Sequence, residues 1–407
     1  MKNMDKVTEY IKSNWIKTFH PAKELGGDVK INHPYVSPCA TDFYTELFYW
    51  DTYFINIGLM LDGFTEQARN NIDNIAQFII KLGFMPNANY ILDRSQPPLF
   101  TRMVWEYYKK TGDKSIIGDY IEVILREYRF WQEKRKNAIG LNSYGTHGSD
   151  EEVLQNYEWH HERVKAYGET IGQKMQIGKD LMAIAESGLD FNMRFETSES
   201  RVAAHAFSHL DLDCILYDVE RKTAEMLRIL GRNDEAEEFE RNAEKRKTLI
   251  NKYYLTKDGI YLDYNMQTGG FSKILSAVSL YPYAFGVSDD KAGAESALKR
   301  LELEYGLSAC EYRDDDLFYQ WDYPCMWPAA TCLAYDGLKN IGLDDDAKRI
   351  AKKYVDVLRR IFEKTGRLWE KYDAATGEVA VTTEYETMPM MGWTAAVYRY
   401  FVENESL

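Results

Sequence analysis

Apolar residues recur at helical spacing along almost the whole chain, and this period restricts the fold more than any other feature. The clearest stretch starts at Leu343, from which Ala347, Ile350, Ala351, Tyr354, Val355, Leu358, Ile361 and Phe362 trace one stripe. Asp344, Asp345 and Asp346 stand at its positive end, and Gly366 follows its last turn as a stop. Comparable periods predict helices near 46–61, 65–82, 95–111, 114–135, 170–187, 209–231, 233–253, 288–303, 322–340 and 389–403. Strand signals are short. Gly259 to Tyr264 alternates loosely, and Leu368 to Val381 suits a hairpin turning at Thr376-Gly377. About a dozen helices without a strict repeat suit either an α-solenoid or a closed ring of paired helices, and periodicity alone does not choose between them.

Charge removes several classes of function. Lys and Arg total 50 against 64 Asp and Glu in 407 residues, a net charge of −14. A nucleic-acid groove needs a basic face, as does a surface that clings to anionic lipid. Aromatics reach 14%, and flat rings suit sugar faces. Five scattered cysteines without CxxC spacing imply neither a disulfide framework nor a zinc site. His160-His161 and the spacing of His205 and His209 lack a third ligand, so no metal is expected. The N-terminus has no apolar signal run, and the longest apolar segment, Leu47 to Leu61, is broken by Asp51, Thr52 and Asn56. These features read as a soluble, cytoplasmic protein with no membrane partner. Oligomeric state is not legible.

Three segments concentrate acids, amides and tryptophans. They are Glu46-Leu-Phe-Tyr-Trp50-Asp51-Thr-Tyr-Phe54, the pair Pro86-Asn87-Ala-Asn89 and Asp93-Arg94-Ser95-Gln96-Pro97-Pro98, and Gln320-Trp321-Asp322-Tyr-Pro324-Cys-Met-Trp327. An acid beside an indole binds a sugar by bonding its hydroxyls while the ring covers its apolar face. Each pair alone fits a core aromatic beside a satisfied carboxylate equally well.

Together the segments resemble the trehalase family of glycoside hydrolases. The first is similar to the second half of that family's first signature, and the third to the QWDxPxxW core of its second. The middle pair resembles its PNGN and SRSQPP segments. Glu186-Ser-Gly188-Leu189-Asp190-Phe resembles ESGWDF, Glu370-Lys-Tyr-Asp373 resembles EKYD, and Glu384-Tyr385 with Gly392-Trp393-Thr394 has the spacing of the C-terminal segment. The matches keep family order from about residue 40 to the C-terminus.

The resemblance implies an all-α fold, an (α/α)6 barrel (toroid) with short β-hairpins in its loops. No linker interrupts the chain, so a single catalytic domain is expected over 1–407, with 1–39 a partly irregular N-terminal segment. The resemblance also implies an inverting hydrolase of a small α-linked glucoside, with Asp190 as general acid and Glu370 as general base. The chemistry asks for such a pair, one carboxyl protonating the leaving oxygen and the other activating water. By the same carry-over, Trp50, Asp51, Asn87, Arg94, Ser95, Gln96, Glu169, Gly188, Trp321 and Glu384 bind the sugar, with Gln320 and Asp322 organising the pocket from behind. The partner is a small-molecule sugar and no cofactor is needed. Hydrolysis of another α-linked glycoside such as a mannoside stands as the alternative. A sugar epimerase with a histidine-centred pocket, or a non-catalytic sugar-binding protein on the same barrel, are alternatives of a different class.

The chain departs from the family pattern where cations are concerned. Ala40-Thr-Asp-Phe43-Tyr44-Thr45-Glu46 lacks both arginines of PGGRFRE, and Tyr167-Gly168-Glu169-Thr170 keeps the acid of RPES without its arginine. Leu189 replaces a tryptophan. With aromatics at Phe43 and Tyr167, trehalose is expected to be poorer than some other α-linked glucoside, unless Arg163, Lys165 or Arg194 restores the charge.

Overall fold

The apolar stripes fold as helices in a computed structural model that describes residues 5–25, 30–40, 43–315, 317 and 319–407. Thr41 and Asp42 of the altered signature, and parts of the segment 1–39, lie outside the described residues. In chain order the helices are α1 Lys6–Asn14, α2 Tyr49–Leu61, α3 Thr65–Leu82, α4 Phe100–Thr111, α5 Ser115–Lys134, α6 Asp150–Val164 and α7 Ile171–Glu186. They continue as α8 Leu210–Ile229, α9 Asn233–Tyr253, α10 Tyr281–Ala284, α11 Lys291–Leu301, α12 Pro328–Asn340, α13 Asp344–Thr365 and α14 Gly392–Glu405.

The neighbours close a ring. α2 packs on α4, α4 on α8, and the circuit runs on through α10, α12 and α14 back to α2. α3, α5, α9 and α13 back α2, α4, α8 and α12 in turn. This is the (α/α)6 barrel rather than an open solenoid. Buried nearly all round, α2 carries its apolar residues without a polar stripe. Gly58 lets it approach α14 closely, since a Cβ there would lie 2.7 Å from the Ala396 backbone.

Local chemistry explains where the helices begin. α4 starts at Phe100, after Pro97-Pro98, and α12 starts on Pro328, whose missing N–H costs nothing in a first turn. α6 is absent from the sequence reading because its buried residues, Val153, Asn156, Tyr157 and Val164, make too sparse a stripe. A capping box of Ser149 and Glu152 starts it, and Thr170 with Gln173 does the same for α7. Each such cap contributes about 1 kcal/mol. In the segment 1–39, α1 is followed by short antiparallel pairs, Phe19–His20 with Tyr35–Val36 and Lys23–Glu24 with Lys30–Ile31.

The expected hairpin forms only in part. Tyr372 bridges Val379 across the turn at Gly377, while Tyr372–Asp373 pairs with Cys325–Met326. That second pairing brings the chain after Gln320-Trp321 beside Glu370. Gly259 to Tyr264 contributes a bridge from Tyr261 to Leu255, and Tyr264–Asn265 joins a three-strand patch with Phe207–Ser208 and Gly270–Phe271.

Candidate active site

One end of the ring opens into a cavity of about 290 Å³, near the lower bound of ligand pockets, about 300 Å³, and so suited to a small molecule. Its wall is assembled from helix ends. Trp50 and Asp51 come from the first turn of α2, Asn87, Arg94 and Gln96 from the loop before α4, and Arg163 from the last turn of α6. Gly188 and Asp190 follow α7, Gln320, Trp321 and Trp327 precede α12, and Glu370, Tyr385 and Trp393 complete the circle.

Gly188 is required by its surroundings. Its φ of +71° reverses the chain after α7, and a Cβ there would lie 2.8 Å from the Trp50 ring. Trp321 stacks on Trp327 with centroids 3.9 Å apart and planes 5° from parallel. Trp393 stands edge-on to both Trp50 and Trp327, at 5.6 Å. The stack forms an apolar, flat-faced wall of the kind a pyranose ring covers.

Three carboxyl groups meet this wall in different environments. Burial pushes Asp190 up to about 6, against the charges of Arg163 and Arg94. Asp51 is pushed up to about 7, again by burial, with Glu370 and Asp190 adding to the rise. Glu370 is buried and held by donors: the Tyr385 hydroxyl donates to Oε1 at 2.9 Å and Oε2 at 3.0 Å, and Lys371 Nζ lies 2.6 Å from Oε2. Lys371 is itself buried and rests over the Tyr385 ring at 4.1 Å. Asp190 is thus biased toward holding a proton, while both oxygens of Glu370 accept hydrogen bonds from neighbouring side chains.

Positive charge is present after all. Arg163 lines the cavity, braced by an ion pair with the buried Glu384 and by the Phe191 ring at 4.9 Å. Glu384 also accepts from the Gln320 backbone N–H at 2.6 Å, and Gln320 Nε2 donates to the Asp190 carbonyl. Arg94 pairs with Asp93 at 2.7 Å, while its buried Nε has no partner among the described residues.

The structure places Trp50, Asp51, Asn87, Arg94, Gln96, Gly188, Asp190, Trp321 and Glu370 on one cavity. Three expected sugar-binding residues are corrected. Glu169 is exposed just before α7 and outside the cavity, its backbone N–H donating to Gln173 Oε1 in the turn that starts the helix. Ser95 is buried with its hydroxyl donating to the Met85 carbonyl at 2.6 Å and its N–H to Glu186 at 2.8 Å, so it braces the loop. Glu384 does not line the cavity and instead pairs with Arg163, which does. Asp322 accepts from the Met193 N–H at 3.1 Å, behind Trp321.

Phe43 and Tyr167 are both exposed, at 54% and 60%, and neither lines the cavity. Lys165 faces a different groove, and Arg194 is buried between Asp211 and Asp263, 2.8 Å from each. Tyr44, Tyr90, Lys371 and Tyr385 escaped the sequence reading as site residues. Tyr385 and Lys371 lie inside matched motifs, but a motif does not say which of its side chains turn inward. None of the seven histidines lines the cavity, and no cluster able to hold a metal ion occurs among the described residues.

A carboxyl biased toward its acid form and a second one fixed by donors, over stacked indoles, provide the chemistry of glycoside hydrolysis. The sequence profile of the trehalase family matches residues 4–406. A periplasmic trehalase of Xanthomonas campestris pv. campestris is 30% identical over 396 residues, covering 90% of this chain and 67% of that protein. One of Salmonella agona is 27% identical over 379 residues, covering 87% and 65%. The chain belongs to the trehalase family and is a trehalase-like glycoside hydrolase. Its fold matches the neutral trehalase of Saccharomyces cerevisiae with a TM-score of 0.76 at 24% identity, over 97% of this chain and 79% of that one. A mannosylglycerate hydrolase of Thermus thermophilus shares the fold at a TM-score of 0.65 and 14% identity, over 97% and 100%. The expected cytoplasmic location is overturned by the curated relatives, which are named periplasmic trehalases.

Proposed function

We propose that the chain hydrolyses α,α-trehalose with inversion, Asp190 acting as general acid and Glu370 as general base. The observation that carries this reading is the contrast between the two carboxyls on one cavity, Asp190 raised to about 6 and Glu370 clasped by Lys371 and Tyr385. Glu370 accepts a proton from a water that attacks the anomeric carbon. Asp190 gives its proton to the glycosidic oxygen as the carbon–oxygen bond breaks, and one glucose leaves. Inversion needs space for that water, about 6.5–9.5 Å between carboxyls.

Arg163 supports trehalose as the substrate. The case against it rested on the arginines missing at Phe43 and Tyr167, positions that stand outside the cavity, whereas Arg163, paired with Glu384 through Nε and Nη2, places a cation on the cavity wall from another point in the chain. Asp51, raised to about 7, is suited to donate or accept at a hydroxyl. Assayed on a panel of α-linked disaccharides, the protein is expected to give its highest kcat/KM on trehalose. A clear preference for another α-glucoside overturns the substrate while leaving the class of reaction intact.

Arg163→Met tests the same cation by pH. Losing a charge-assisted donor lowers kcat/KM by about 10–100-fold, from about 1.5–3 kcal/mol. The alkaline limb of the kcat/KM profile reports deprotonation of the acid in the free enzyme. In the parent protein it is expected near Asp190's value of about 6. The Arg163 cation stabilises the Asp190 carboxylate and holds that value down. Its removal therefore moves the limb to higher pH, and an unmoved limb would disconnect Arg163 from the acid.

A further inference from the structure

The ring helices that carry the catalytic wall also enclose a second cavity, of about 390 Å³, at their other end. Trp50, Trp327 and Trp393 mark the catalytic end of α2, α12 and α14, and Ile57, Asp336 and Tyr400 line the second cavity on the same helices. These positions are seven to nine residues further along, or roughly 10–14 Å. We propose that this cavity binds a small neutral polyhydroxylated molecule, a monosaccharide or a polyol, independently of the catalytic pocket.

Arg102 of α4 supplies the first argument. It lines the cavity, and its Nε and Nη1 are buried without hydrogen-bond partners among the described residues. The Asp218 carboxylate stands 3.6 Å from Nε, beyond a hydrogen bond, and the guanidinium lies 4.8 Å over the Phe285 ring. Buried donors of this kind are normally satisfied, and an incoming oxygen would satisfy them. Acceptors line the same cavity, the Glu106 carboxylate among them. Asp336 is fixed by the Tyr400 hydroxyl at 2.9 Å. Asn340 spends its amide N–H groups on the carbonyls of Tyr283 and Ala284, at 3.2 and 3.0 Å, which leaves its oxygen to accept. The rings of Tyr53 and Tyr400 add flat apolar faces to this set of donors and acceptors.

Charge selects among ligands. A bare anion would meet Asp336, Glu106 and the negative ends of four helices. A bare cation would meet Arg102, Lys109 and Lys110. A neutral hydroxylated molecule uses donors and acceptors together and meets neither penalty.

Hydrogen–deuterium exchange with saturating glucose tests the proposal. Segments 104–111 and 335–341 are expected to exchange more slowly with glucose present. In Arg102→Met and Glu106→Gln, the concentration needed for this protection should rise at least about tenfold, the size of one lost charge-assisted bond. Protection around Asp190 and Glu370, and turnover of trehalose, should stay as in the parent. Glu106 is only partly buried, so its variant reports on binding even where Arg102→Met perturbs folding. No protection of these segments by glucose overturns the site. Equal protection in both variants overturns it as well, since the effect would then be transmitted from the catalytic end. Protection by inorganic phosphate or 1,4-diaminobutane where glucose gives none overturns the neutral ligand.

Discussion

Asp190→Asn is expected to lower kcat on trehalose by about 10²–10⁴-fold, and the loss should shrink on substrates with good leaving groups. Asparagine keeps the side chain's shape but carries no transferable proton. A sugar hydroxyl is a poor leaving group and needs that proton as the bond breaks, whereas an acidic phenol departs with little help. The measurement is kcat for parent and variant on trehalose and on a series of aryl α-glucosides. A loss that ignores the leaving group would mean that Asp190 does something other than protonate it.

Glu370→Gln is expected to cost a similar factor, about 10²–10⁴, but evenly across the same series. Water must be activated whatever group departs, so leaving-group quality cannot rescue this variant. A structural complication is built into the site, because Glu370 pairs with Lys371 and both are buried. Breaking such a pair by removing one partner costs about 3–5 kcal/mol. The glutamine oxygen still accepts from Tyr385, which limits the damage. Thermal unfolding of the variant therefore accompanies the kinetics. The base assignment fails if activity falls only as far as the folded fraction does, or if good leaving groups restore it.

The fold was legible where one physical signal dominates. α13 reads directly from its stripe, its acidic first turn and Gly366 in the left-handed conformation at φ +66°. α6 has no such stripe: its one local signal is the capping box of Ser149 and Glu152, and the rest of its support is packing against α7, which no local pattern reveals. The site divides in the same way. Asp190, Glu370, Trp50 and Gly188 sit in motifs whose order survives, and all reach one cavity. Ser95 and Glu384 sit in equally good motifs and serve as braces, because side-chain direction is decided by the fold and not by the motif. Arg163 shows the converse. Its position has no motif, yet it lines the cavity from the last turn of α6, which ends at Lys165 with φ +49°. A cation missing at Phe43 and Tyr167 is supplied by Arg163, and only the fold decides that this side chain reaches the cavity.

The stereochemistry of the first product tests the account at its centre. Trehalose joins two glucose units through both anomeric carbons in the α configuration. Attack by water from the opposite face gives β-glucose from the attacked unit, while the departing unit leaves as α-glucose. Proton NMR recorded before the anomers equilibrate should show equal initial amounts of the two. Release of α-glucose alone would mean retention, and Glu370 would then not be a base that activates water for inversion.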